Sequence, residues 1–203
     1  MAKWSSDKGE VAIKIAVVGQ AGSGKKSIVQ AVAAARGQAT LRTGFVSGAE
    51  VARTDFIWPE PLPDGPFVKV RVFGITGNPF HEAAEQLMLT DADAVVFVVD
   101  CDANAISASR DKLIAMMGNA THVGMDWQST IVVMQYNRAE RYPQLKPDDL
   151  DQWLGIKEAN VARYLTSSNS GENLCVAVNE AARKTIRKLQ EEDAHPQSQK
   201  ASP

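Results

Sequence analysis

Gly19, Gly24 and Lys25 stand in the string GQAGSGKKS, which ends at Ser27, and they have the spacing G-x-x-x-x-G-K. That spacing serves phosphate chemistry. Backbone N–H groups can wrap a β-phosphate only where side chains leave room, which Gly19, Gly22 and Gly24 provide. A helix beginning at the end of such a loop adds the positive end of its dipole. Lys25 supplies a point charge to the β- and γ-phosphate oxygens. The flanks are the ones the motif requires: the β-branched run VAIKIAVV (11–18) reads as a strand ending at the first glycine, and IVQAVAAARG (28–37) has helical spacing with a terminal glycine.

One position departs from the motif. The residue after its lysine is ordinarily Ser or Thr, whose hydroxyl ligates Mg²⁺, and here it is Lys26. Ser27 follows, but one step along a helix turns a side chain by about 100°, away from a metal at that place. Two placements are open to the Lys26 ammonium. It points to solvent while a water replaces the lost ligand, or it stands where Mg²⁺ would stand.

The elements that must position these residues alternate between short apolar strands and amphipathic helices. FVKVRVF (67–73) alternates with period two, and AVVFVVD (94–100) is a fully apolar strand of the buried parallel kind. IVVMQYN (131–137) and VARYLTSS (161–168) are further strands. Helices are predicted for HEAAEQLML, NAISASRDKLIAMMG, DDLDQWLG and the long closing segment ENLCVAVNEAARKTIRKLQ. Such alternation implies a doubly wound α/β domain over 11–190, a mainly parallel six-stranded sheet with helices on both faces in three layers. Residues 1–10 and 191–203 are polar and read as disordered tails. Ligands of this architecture bind in the loops after the carboxyl ends of the strands.

Three further polar strings fall in those loops. They are TGN (76–78) after the third strand, QYNRAE (135–140) at the end of the fifth, and SSN (167–169) at the end of the sixth. Together with ARTDF (52–56) and VVFVVD, and above all VVMQYNRAE, they give the chain a resemblance to bacterial gliding-motility GTPases of the MglA type, over 11–189. The resemblance implies a P-loop small-GTPase (Ras-like) fold, GTP and GDP as ligands, and a polarity or motility switch. It also implies a partner of the roadblock type (MglB-like) gripping the switch face, where Trp58 and Phe80 flank the loops.

Residue by residue the resemblance is uneven. Arg53 and Thr54 match the family's switch-I pair, an intrinsic arginine finger and a threonine that senses γ-phosphate and metal; a solvated loop arginine is the plainer reading of Arg53. Gly77 and Asn78 fall in the second switch, and Asn78 stands where the water-positioning glutamine belongs, one methylene short. Gly74 offers no side chain where Ras-type proteins keep an acidic group for the metal. Thr54 is then the remaining protein ligand for Mg²⁺, and metal affinity is expected to be weak. At the base, Asn137 would hold the loops and the purine, the stem of Arg138 would cover its face, and Glu140 would replace the carboxylate that pairs with guanine. Adenine offers an acceptor at N1, so a carboxylate there disfavours it. Ser167 opens the string that stands where such proteins carry their S-A motif, and the Ser168 and Asn169 N–H groups would meet guanine O6. Asp100 reads as a strand-end residue.

Composition narrows the rest. A net charge of −2 over 203 residues argues against a nucleic-acid or anionic-membrane partner. No apolar run reaches the roughly 18–20 residues of a membrane span, and there is no lipidation motif, so a cytoplasmic protein without a direct membrane anchor is expected. Cys101 and Cys175 read as buried reduced thiols, and His81, His122 and His195 share no ligand spacing. Three functions stay open: a regulatory GTPase, a pseudo-GTPase that works by assembly, and a P-loop ATPase or kinase, which the base site disfavours.

Overall fold

The computed structural model describes residues 9–37, 41–60, 66–75, 81–102, 104–144, 146–156 and 161–194. Most of both expected tails, the TGN string with Gly77 and Asn78, Phe80 and His195 lie outside the described residues.

Valine and isoleucine dominate the central strands of the sheet because helices cover them on both faces. It has seven strands: β1 (Glu10–Gly19), β2 (Arg42–Val46), β3 (Ala49–Ile57), β4 (Phe67–Ile75), β5 (Ala94–Asp100), β6 (Ile131–Asn137) and β7 (Ala162–Thr166). Their order is β2-β3-β4-β1-β5-β6-β7, with β2–β3 and β3–β4 antiparallel and the other pairs parallel. The helices are α1 (Lys25–Ala35), α2 (Glu82–Leu89), α3 (Ile106–His122), α4 (Pro147–Leu154) and α5 (Val176–Ala194). Alternate residues of each central strand serve opposite layers. Ile13, Ile15, Val17, Val96 and Val98 pack with α1 and α5, while Ala16, Val18, Val95, Phe97 and Val99 pack with α3 and α4. A smaller cluster joins Ala84 and Met88 of α2 to Val51 and Ile75. This is the three-layer P-loop small-GTPase architecture.

The sheet has seven strands rather than the expected six, with β2 at its antiparallel edge. That strand is built by a two-residue turn, Ser47 and Gly48, both with positive φ (47° and 81°), between the paired residues Val46 and Ala49. Positive φ at both central positions matches the right-handed twist of a hairpin. The same hairpin places Arg53 and Thr54 in the middle of β3, opposite Phe73 and Val72 of β4, rather than in a loop. Among the described residues no helix is long and apolar enough to cross a membrane. Cys101 is buried and Cys175 half-buried.

Trp58 is a core plug. It is 7% exposed and packs with the α1/α5 layer, and the Arg36 guanidinium lies 4.8 Å from the Phe56 ring centroid and 5.6 Å from that of Trp58. Trp58→Ala should therefore lower unfolding free energy by about 3–5 kcal/mol in urea denaturation. A loss below about 0.5 kcal/mol, the size of a surface substitution, would contradict this packing.

Candidate functional site

β1 ends at Gly19, where a Cβ would come within 2.3 Å of the Val98 carbonyl oxygen on β5, so no larger residue fits without moving backbone. The chain then turns through Gly22 (φ 77°) to Gly24 (φ 99°), the left-handed N-cap of α1. A Cβ on Gly24 would lie 2.3 Å from Asn137 Nδ2. Glycine is needed there both for its conformation and for the close approach of the base loop. Lys25 opens α1 and folds back over the loop: its ammonium donates to the Gln20 carbonyl, and to Ser23 Oγ at 3.4 Å.

The loops from β6 and β7 close on this one. Asn137, at the carboxyl end of β6, has no exposed surface. Its Nδ2 donates to the Ser23 carbonyl at 2.7 Å, and its Oδ1 accepts the Ser168 N–H at 2.8 Å. Arg138 has a positive φ of 62°; it ion-pairs with buried Asp100, and its Nη2 donates to the Gly22 carbonyl at 2.8 Å. Glu140 sits in the 3-10 turn Ala139–Arg141, its exposed carboxylate accepting the Asn169 side-chain amide at 2.9 Å. Ser167 is buried and holds its own loop, accepting the Ser170 N–H on Oγ at 3.1 Å and donating its N–H to the Glu172 carbonyl at 3.0 Å. Lys25, Asn137 and Ser168 are thus joined through Ser23, Arg138 is bonded to Gly22, Gly19 and Gly24 leave room for these approaches, Ser167 shapes its own loop, and Glu140 and Asn169 pair beside them. The Ser168 N–H is directed at the Asn137 amide rather than left for a purine oxygen. Asp100, read from sequence only as a strand end, anchors Arg138. The ionic role has no local sequence signal, because it depends on β5 and β6 being neighbours.

On the metal side the arrangement is different. The Lys26 ammonium is 2.6 Å from Glu50 Oε1 of β3 in an exposed pair. Ser27 is half-buried on α1. Gly74 faces α1 so closely that a Cβ would meet Val29 Cγ2 at 2.9 Å. Thr54 is fully buried on the α1 face of the sheet, and its hydroxyl has no hydrogen-bond partner among the described residues. Arg53 lies on the opposite face, bonded to both Asp55 oxygens at 2.8 and 2.6 Å, with its guanidinium 5.1 Å from the Phe73 ring centroid. Mg²⁺ prefers six oxygen ligands in near-ideal octahedral geometry. These positions offer an ammonium, no side chain and a core-facing hydroxyl. They do not fit the ion in this conformation, and no group of three or more His, Cys, Asp or Glu side chains suited to a metal occurs among the described residues.

Burial, helped by the nearby Lys112 and opposed by Glu85, lowers the Lys25 pKa from 10.5 to about 8. The signs then separate two measurements. Between about pH 8 and 10.5 the unfolded chain holds a proton that the folded, ligand-free chain has lost, so ligand-free stability should rise with pH across that window. A bound phosphate restores the proton, so affinity for a phosphate ligand should fall above pH 8 by up to about tenfold per unit. Calorimetry in buffers of different ionisation enthalpy at pH 8.5 should show proton uptake on binding. Proton release, or no exchange, would contradict the placement of Lys25.

No protein-family model matches the chain. It is 22% identical over 184 residues to the mutual gliding-motility protein MglA of Myxococcus xanthus (strain DK1622), a match that covers 89% of this chain and 93% of that protein. The chain is thus similar in sequence to that protein over most of both lengths, and its mainly parallel seven-stranded sheet with flanking helices has the small Ras-like GTPase fold.

Proposed function

We propose that the protein binds guanine nucleotide and acts as a switch in a motility or polarity system, turning GTP over slowly. The observation that carries this reading is the double engagement of Asn137, whose buried amide joins the phosphate loop at 2.7 Å to the last base loop at 2.8 Å. A cradle held from both sides costs little ordering when a nucleotide enters. Glu140 keeps a carboxylate beside the base position, poised by Asn169, where guanine's N1–H and exocyclic amine can donate to it. Adenine presents an acceptor instead, which leaves the carboxylate unpaired.

Slow turnover follows from three residues. Arg53 is held by Asp55 and Phe73, so it stabilises transition-state charge only after leaving both. Lys26 stands where a metal-ligating hydroxyl belongs and is engaged by Glu50. Asn78, outside the described residues, is a methylene short of a glutamine. A roadblock-type partner at the face formed by β2, β3 and α2 is part of the proposal. Trp58 is in the core, so anchoring falls to exposed apolar residues there, such as Phe45 (79% exposed) and Leu87 (50%).

GDP at about 100 times its Kd should stabilise the protein by roughly 2.7 kcal/mol, and ADP at the same concentration by far less. Glu140→Gln should narrow that gap by about tenfold in affinity. Equal stabilisation by GDP and ADP would contradict the assignment of the base site. Because the described residues build no Mg²⁺ site, EDTA should change GDP affinity by less than about tenfold. A steep collapse in EDTA would show that the metal ligands assemble after all.

A further inference from the structure

Glu85 of α2 is 2% exposed, and its carboxylate is shared by two residues of α3. The Lys112 ammonium ion-pairs with it, and Asn119 Nδ2 donates to it at 3.1 Å. Gln86 Nε2 in turn donates to Asn119 Oδ1 at 3.3 Å. A buried ion pair of this kind is a poor way to gain stability, since a well-packed apolar pair does as well or better. Its position points to another use. Lys112 and Asn119 line a cleft of about 510 Å³ together with Gln20 and Ala21 of the phosphate loop, Glu82 and Asp111. Lys112 and Glu85 both act electrostatically on Lys25. Two ammonium groups and one carboxylate are therefore gathered beside the phosphate loop.

We propose that Lys112 senses the terminal phosphate of a bound nucleoside triphosphate, leaving Glu85 for the γ-phosphate and so releasing the first half of α2. The inference deepens the guanine-nucleotide reading and rests on it. A triphosphate brings more negative charge to this end of the site than a diphosphate does. Of the other cations, Lys26 is paired with Glu50 at the exposed first turn of α1, and Arg53 is bonded to both oxygens of Asp55 on the opposite face of the sheet. The Lys112 stem is long enough to reorient over a short distance, and its side chain is 13% exposed. Lys14 pins the far end of α2, donating to the Thr90 carbonyl at 2.6 Å and the Leu87 carbonyl at 3.2 Å. Loss of the Glu85 contact then frees the end that follows the second switch and leaves the other end fixed. The Glu82 and Asp111 carboxylates repel free anions from the cleft, so the phosphate must already be held by the loop.

The test is titration calorimetry in EDTA with GDP and with a non-hydrolysable GTP analogue, on the wild type, Lys112→Met and Glu85→Gln. Lys112→Met should lose about tenfold or more in affinity for the analogue and keep GDP affinity within about twofold. Glu85→Gln, which removes the competing charge, should bind the analogue more tightly than wild type. If the pair serves packing alone, Lys112→Met changes both affinities alike or neither, and Glu85→Gln fails to strengthen the analogue; either result overturns the inference. Should Lys112→Met not fold, the sign of the Glu85→Gln effect still decides. A wild type that binds neither nucleotide overturns the guanine reading itself, and one that binds both with the variants unchanged overturns only the role of Lys112.

Discussion

Asn137 has no exposed surface, and it commits its side-chain donor to the Ser23 carbonyl and its acceptor to the Ser168 N–H. Every other part of the site is arranged around that exchange. The phosphate loop comes from the end of β1, the base loops from the ends of β6 and β7, and no backbone pairing joins them directly, because β5 lies between β1 and β6. A buried amide left without partners costs about 1–3 kcal/mol per group, so both bonds hold wherever the strand ends are in register. The requirement reaches back into the loop. Gly24 must lack a side chain because Asn137 occupies the space a Cβ would take.

Around this tie, charges are distributed in pairs of unequal strength. Asp100 and Arg138 form a largely buried pair whose second bond, to the Gly22 carbonyl, fastens the loop again. Lys26 and Glu50 form an exposed pair, of the kind worth about 0–1 kcal/mol, and it can open at little cost. It connects the first turn of α1 to the start of β3. The phosphate end is thus rigid where glycines and Asn137 hold it and yielding where exposed charges do. That contrast suits a site which must bind tightly on one side and report its ligand on the other.

Much of this was legible in the sequence where a local constraint acts. The glycine spacing of the phosphate loop reports backbone conformation and close approach, both imposed at single positions. The apolar runs of β1, β5 and β6 report burial on two faces. The antiparallel edge was harder. β2 is exposed along nearly its whole length, so it carries no alternation, and the Ser47–Gly48 turn was its one signal. The string Ala52, Arg53, Thr54, Asp55, Phe56 does alternate, with Ala52, Thr54 and Phe56 buried, and its strand pattern was obscured by its resemblance to a switch loop. Pairings such as Lys112 with Glu85 and Arg138 with Asp100 were illegible, since they depend on how helices and strands distant in sequence come to lie side by side.

Whether the Asn137 tie preorganises a guanine-nucleotide cradle is measured directly by GDP titration of the wild type against Asn137→Ala. Removal of the amide leaves the Ser23 carbonyl and Ser168 N–H without partners and lets the loops part. The wild type should bind one-to-one and the variant about 100-fold or more weakly, with far-ultraviolet circular dichroism showing both folded. A folded variant that binds GDP within about threefold of wild type would contradict it.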